Sequence, residues 1–165
     1  MKLFSSFKRI FNWGKMPEKL HEFEKDNLID LATSVRSGRS LFESLGSPTK
    51  VLAPMVDGSE LAWRIMSRRY GAELCYSPMI HSRLFSQDRK FRNQFVGEMD
   101  GQVGLDRPLI IQFCANDPDV LLDAARHVIG KCDAVDINFG CPQGIAKKGH
   151  YGSFLMEEWD LVFRL

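Results

Sequence analysis

From residue 50 onward, short apolar runs alternate with segments of helical period. The run Val51, Leu52, Ala53, Pro54, Met55 reads as a short buried parallel strand. Ser59 is placed to cap a following helix, in which Leu61, Ala62, Ile65 and Met66 form the buried stripe and which Gly71 ends. A second strand is predicted over about 73–79. The polar stretch 82–107 holds a short helix and a loop, and a third strand covers 109–114. Asp117 then caps a helix opening at Pro118, with Val120, Leu121, Ala124, Ala125 and Val128 facing inward and Gly130 as the stop. A fourth strand is expected over 134–139, then a helix around 151–164. Such alternation predicts an α/β chain of parallel βα units joined by right-handed crossovers. Four units are half of a closed (β/α)8 barrel, which typically takes about 250 residues. The expected fold is therefore a partial (β/α)8 TIM barrel, about its first four βα units.

Upstream the texture differs. Residues 17–45 open at Pro17, are rich in Glu, Lys and Leu, and repeat Leu28, Leu31 and Val35 at helical spacing. Gly46, Ser47 and Pro48 break any helix and mark a junction. The chain thus divides into a helical N-terminal extension, 1–46, and the half-barrel, 47–165. Within the extension, residues 1–16 carry Lys2, Lys8, Arg9 and Lys15, with no acid before Glu18, and a helix there would set Phe4, Phe7 and Phe11 on one face. Two readings stand: a mitochondrial presequence or membrane-surface helix, and a frayed extension with a sticky face. Serine is scarce there and no cleavage signature is legible, so a cytoplasmic or nuclear protein is the default and a mitochondrial one the alternative.

Composition narrows the class. With 165 residues, 44% hydrophobic and 26% charged, the chain is ordinary for a globular domain, which excludes wholesale disorder and a coiled-coil rod. No apolar run is long enough to span a membrane, so no membrane partner is expected. A formal net charge of +1 carries no global polyanion signal, so any nucleic-acid surface must be a local patch. Cys75, Cys114, Cys132 and Cys141 form no CxxC pair, which argues against a disulfide scaffold or a metal site and fits a reducing compartment.

The candidate chemistry sits where the strands end, since barrel enzymes build their sites at that edge. Pro54 and Pro142 fix the chain as it leaves the sheet, and Gly140 lets backbone approach a ligand. Cys141 lies past a strand, between Gly140 and Pro142, where its thiol can act as acid, nucleophile or ligand, or be a small buried hydrophobe. Gln112 ends an apolar strand with a carboxamide suited to a planar heterocycle or to tying down a loop. Asn138 invites the same two readings, with Asp136 two residues earlier on the same face as a structural acceptor. Basic residues cluster twice, as His81, Arg83, Arg89, Lys90 and Arg92 and as Lys147, Lys148 and His150, with Phe85 and Tyr151 interleaved as possible stacking groups.

Ala53-Pro54-Met55, Ile111-Gln112-Phe113 and above all Asn138-x-Gly140-Cys141-Pro142 resemble the tRNA dihydrouridine synthases. The finer text is similar to the eukaryotic branch acting at positions 16 and 17 of the tRNA D-loop. Glu60 to Arg64, Cys114 to Pro118 and Ile145 to Gly152 carry that likeness, which runs from about Val51 to Leu165. The resemblance implies a flavin enzyme in which reduced FMN gives hydride to C6 of a uracil and Cys141 protonates C5. It implies that Pro54, Met55 and Val56 pack against the flavin, Gln112 bonds its edge, and Asn138 orients the uracil. Lys147 and His150 would contact the tRNA, NADPH would reload the flavin, and the uridine would leave its stack. The family's later strands, which supply a lysine, a histidine and the phosphate site, and its RNA-binding domain have no counterpart in these residues. The expectation is therefore a partial sequence, or a truncated product that binds FMN poorly. Two other classes stay open: a non-catalytic interaction or RNA-binding product, and an FMN barrel acting on a free pyrimidine.

Overall fold

The structure is a computed structural model describing residues 38–99 and 105–165; in the helix ending at Met99 side chains are described as far as Phe95. The chain divides into two units, Met1–Leu41 and Phe42–Leu165, and the entire sheet belongs to the second. The basic segment 1–16 and most of the helix expected over 17–45 lie outside the described residues. From residue 38 the chain forms helix α1 (Gly38–Ser44), which closes where expected, with Gly46 at φ +88°.

The second unit runs β1 (Val51–Leu52), α2 (Leu61–Arg69), β2 (Leu74–Tyr76), β3 (Ile80–His81), α3 (Ser82–Gln87), α4 (Arg89–Met99), β4 (Leu109–Cys114), α5 (Pro118–Arg126), β5 (Ala134–Ile137), α6 (Gly144–Gly149), a 3-10 turn (Gly152–Leu155) and α7 (Trp159–Val162). All strand pairs are parallel, and β4 is central. This is the α/β partial barrel the pattern predicts, with one difference. Ile110 pairs with both Tyr76 and Ala134, and Phe113 with both Ile80 and Ile137, so β2 and β3 lie along the same side of β4 and β5 along the other. From Tyr76 to Ile80 is one step more than from Ile110 to Phe113. β2 and β3 are therefore one strand interrupted by an extra residue, not the continuous strand expected over 73–79.

The interruption has a chemical cause. Pro78 has no N–H to give the ladder. Ser77 compensates: its N–H donates to Ile110 O at 2.9 Å, and its hydroxyl accepts Gln112 N–H at 3.0 Å while donating to Pro78 O at 2.8 Å. The ladder is bridged by a side chain at the point where Gln112 leaves it.

All six residues of β4 are buried, as a strand covered on both faces must be. Ile111 and Phe113 point to the helical side and join Ile80, Phe85, Ala115, Leu121, Ala124 and Val128 in the main core. α5 forms as the sequence dictates. Asp117 Oδ1 accepts the N–H groups of Asp119 and Val120 (3.1 and 3.3 Å) and Pro118 opens the helix, which ends at Arg126 with His127 as its C-cap, four residues before the expected stop at Gly130 (φ +75°). Leu121, Ala124 and Val128 are buried, with Val120 and Ala125 half-buried.

Several local expectations are corrected. The run 51–55 yields only two strand residues, and Val51 is 51% exposed on an edge strand that Pro54 cannot extend. α2 buries Arg64 rather than the apolar stripe, leaving Ala62 and Met66 exposed, because Asp106 and a backbone carbonyl await the guanidinium. Ser59 does not cap α2; Glu60 holds that position, and Ser59 turns back to Met55. The stretch 82–107 holds two helices, because Asp88 Oδ1 accepts Lys90 N–H at 2.7 Å and starts α4. The single helix expected over 151–164 is a 3-10 turn, which opens on the left-handed Gly152, and the four-residue α7, the two separated at residues 156–158.

Candidate active site at the carboxyl edge of the sheet

The register carries Tyr76, Ile110, Gln112, Ala134 and Asp136 to one face of the sheet, opposite the helix-packed core. Near the strands' carboxyl ends three of its polar groups form a chain. Gln112 Nε2 donates to Asp136 Oδ2 at 2.7 Å, and Asn138 Nδ2 donates to Gln112 Oε1 at 3.1 Å. Asn138 Oδ1 in turn accepts the N–H groups of Gly140 and Cys141 at 3.1 and 2.9 Å.

The direction of this relay is determined at both ends. A carboxylate only accepts, so Gln112 must turn its NH2 toward Asp136; two backbone N–H groups only donate, so Asn138 must turn its oxygen toward them. Each carboxamide keeps one N–H uncommitted by these bonds, and Gln112 also keeps one lone pair. The site therefore offers an oriented edge able to donate twice and accept once. Tyr76, on the same face, has its phenol pKa pushed up by burial and by the nearby Asp136 carboxylate.

Cys141 is half-buried in the loop after β5. Besides its own N–H bond to Asn138, its carbonyl accepts from both Ser153 N–H and Ser153 Oγ at 3.1 Å. Gly152 lies flat against it: a Cβ at that position would stand 2.6 Å from Cys141 O and 3.0 Å from Cys141 Cβ. The thiol-bearing residue is thus clasped from both sides. It packs on a small cluster of Cys114, Ala146 and Tyr151, with Met79 and Phe154. Cys114 is a different kind of thiol, 1% exposed, with its pKa pushed up to about 12 by burial. Such a group stays protonated and inert.

The remaining predicted site residues sit on the same edge of the sheet. Pro54, Met55 and Val56 form the turn leaving β1, with Met55 39% and Val56 60% exposed. No hydrogen bond joins this turn to the Gln112–Asn138–Cys141 relay. Lys147 lies exposed on α6, whose last turn also holds Lys148. His150 caps α6 in the left-handed conformation at φ +55°, and its Nε2 meets Glu158 at 2.7 Å rather than Cys141. Asn116 Nδ2 ties down the end of α6 through Gly149 O at 3.1 Å.

Two expectations about stacking are overturned. Phe85 is fully buried against Phe113 and Phe95, and Tyr151 is 5% exposed with its ring edge-on to His81 at 5.6 Å, so neither offers a free face to a base. In the basic cluster Arg92 Nη1 is spent on the carbonyls of Phe85 and Ser86, and Arg83 reaches Asp117 at 3.5 Å. Ser153, and Gly152 beyond its place in the family likeness, were not singled out because their partner Cys141 lies about a dozen positions upstream. Among the described residues no group of His, Cys, Asp and Glu could hold a metal ion, and no helix is long and apolar enough to cross a membrane.

Comparison with known proteins places these residues in context. The pattern of the family described as dihydrouridine synthase (Dus) matches residues 51–165. The chain is 64% identical over 129 residues to the tRNA-dihydrouridine(16/17) synthase [NAD(P)(+)] of Saccharomyces cerevisiae, covering 78% of this chain and 30% of that protein. It is 55% identical over 122 residues to a tRNA-dihydrouridine(16/17) synthase [NAD(P)(+)]-like protein of Mus musculus, covering 74% of this chain and 25% of that one. To a human tRNA-dihydrouridine(20a/20b) synthase [NAD(P)+]-like protein the identity is 44% over 117 residues, or 71% of this chain and 36% of the relative. The chain thus spans between a quarter and just over a third of the length of these relatives.

Proposed function

Because the chain belongs to the dihydrouridine synthase family, we propose that it forms the opening part of a catalytic barrel that reduces uridine to 5,6-dihydrouridine in the D-loop of tRNA. FMN is the cofactor in this reading and NADPH the reductant. The relatives' names support a tRNA substrate and a nicotinamide donor. The activity is that of the protein whose remaining strands complete the barrel, with this segment supplying the acid and one side of the cofactor seat.

The single observation carrying this reading is the clasped, half-buried Cys141 joined through Asn138 to Gln112. The donor set fits one edge of a flavin: Gln112 has an uncommitted N–H and lone pair, and the 54–56 turn exposes Met55 and Val56 beside the sheet's carboxyl edge. When bound, FMN supplies hydride to C6 of the uracil ring. Cys141 delivers the accompanying proton to C5, so the C5=C6 bond takes up hydride and proton together. Asn138 turns its spare N–H to a uracil carbonyl, holding the ring in line with the thiol. Gln112 holds the flavin edge, while Pro54, Met55 and Val56 lay their backbone along the ring. Lys147 and His150 on the rim meet tRNA phosphates, and the uridine flips out of its stack to enter.

The test is Cys141→Ala in the full-length protein, assayed by mass spectrometry of dihydrouridine in tRNA. Loss of a general acid lowers turnover by about 10²–10⁴-fold, with flavin absorbance retained in the purified protein. Wild-type turnover by this variant would refute the role given to Cys141. Equal rates on free uridine and on tRNA would refute the substrate.

A further inference from the structure

The turn bearing Pro54, Met55 and Val56 has little packing of its own. Met55 and Val56 are exposed, and Asp57 is held at φ +55°. Its order comes from beneath, through an unbroken chain of hydrogen bonds. Ser59 Oγ accepts Met55 N–H at 2.9 Å and donates to Met55 O at 3.1 Å. Ser59 O accepts Arg64 Nη1 at 2.7 Å. Arg64 Nε and Nη2 both reach Asp106 Oδ2 at 2.8 Å, and Arg68 Nε takes the other carboxylate oxygen at 3.1 Å. Ser59, Arg64 and Asp106 are between 0% and 1% exposed.

A buried ion pair is a poor source of net stability, because desolvating the charges offsets most of their attraction. An apolar residue in the middle of α2 would pack as well. What the guanidinium does that an apolar side chain or a lysine cannot is hold two acceptors at a set separation with a planar fork. Here those acceptors are a carboxylate just before β4 and the carbonyl of Ser59, whose hydroxyl grips Met55.

We propose that Arg64 is a positioning residue that, through Ser59, sets the conformation of the 54–56 turn against which the flavin ring rests. The inference builds on the functional reading of that turn, and its test separates the two. Arg64→Lys keeps the charge beside Asp106 and loses the fork; Ser59→Ala keeps the carbonyl and the Ser59 N–H bond to Met55 O at 3.1 Å, and loses the hydroxyl's two bonds to Met55. In the full-length protein, each variant raises hydrogen exchange at the Gly58 amide, which donates to Met55 O at 3.2 Å, at least tenfold. Exchange at Ile111 and Phe113 in β4 stays unchanged, and each variant weakens FMN binding at least tenfold. Unchanged protection at Gly58, or equal loosening of β4, overturns the proposal, as does wild-type FMN affinity with a loosened turn. A wild-type protein that binds no FMN would instead sink the functional reading, while exchange at Gly58 still decides whether Arg64 orders the turn.

Discussion

Gly152→Ala is the sharpest perturbation the structure offers, because it pushes on Cys141 without touching its thiol. Gly152 sits at φ +68°, where a side chain costs about 1–2 kcal/mol. Its added Cβ would stand 2.6 Å from Cys141 O and 3.2 Å from Cys141 N, and both obstacles are backbone. Clearing the oxygen to ordinary contact at 3.4 Å moves that carbonyl by about 0.8 Å. The shift strains both Ser153 bonds to Cys141 O and the Asn138 bond to Cys141 N–H. Overpacking of this kind costs about 1–3 kcal/mol, so the total is about 2–5 kcal/mol, or a Tm lower by about 5–15 °C. On the role proposed for Cys141, a displacement approaching 1 Å at its thiol lowers turnover by about 10²-fold. The assay is dihydrouridine formation on tRNA by the full-length protein, alongside flavin content and thermal melting. An unchanged Tm with wild-type turnover would refute the clasp as the device that holds Cys141.

Two further predictions test the relay and its surroundings. Asp136→Leu leaves Gln112 Nε2 without its acceptor in a site only 6% exposed, costing about 1–3 kcal/mol. Asp136→Asn, which can turn an oxygen to the same donor, restores most of the lost kcat/KM; equal kinetics for the two variants would refute the polarity argument. His81 has a buried Nδ1 without a hydrogen-bond partner among the described residues, and burial, with Arg83 nearby, holds its pKa below the usual imidazole value. A depressed pKa means that the folded state favours the neutral ring. This contribution is fully present above the unfolded pKa of about 6.5 and declines as pH falls below it toward the folded value. Denaturant midpoints measured from about pH 7.5 down to about pH 5 therefore fall more steeply for wild type than for His81→Phe; parallel profiles would contradict the assignment.

Much of the architecture was legible because its causes are local. Asp117 and Pro118 start α5 through side-chain bonds spanning three residues at most. The apolar run in β4 reports burial on both faces. The candidate site was legible for a related reason: Asn138, Gly140, Cys141 and Pro142 fall within five positions, and Asn138 bonds the backbone of the turn that carries the thiol. Asp136 also kept the acceptor role its spacing suggested.

What escaped the one-dimensional reading involves partners far apart in sequence. The expected stripe of α2 passed over Arg64, whose partner Asp106 lies 42 positions away. Pro78 interrupts a strand whose continuity only β4 can reveal, and Ser77 repairs the ladder across 35 positions. Phe85 and Tyr151, set among basic residues in sequence, are drawn inward by Phe113 and His81. The amino-acid order determined the parallel βα alternation, the cap of α5 and the placing of Asn138 and Cys141 on one turn, since each follows from backbone preference or hydrophobic period within a few residues. Tertiary contact alone decided which charges are buried, which way the carboxamides point and what clasps the thiol, because a hydrogen bond's direction and a side chain's burial depend on neighbours that only folding brings together.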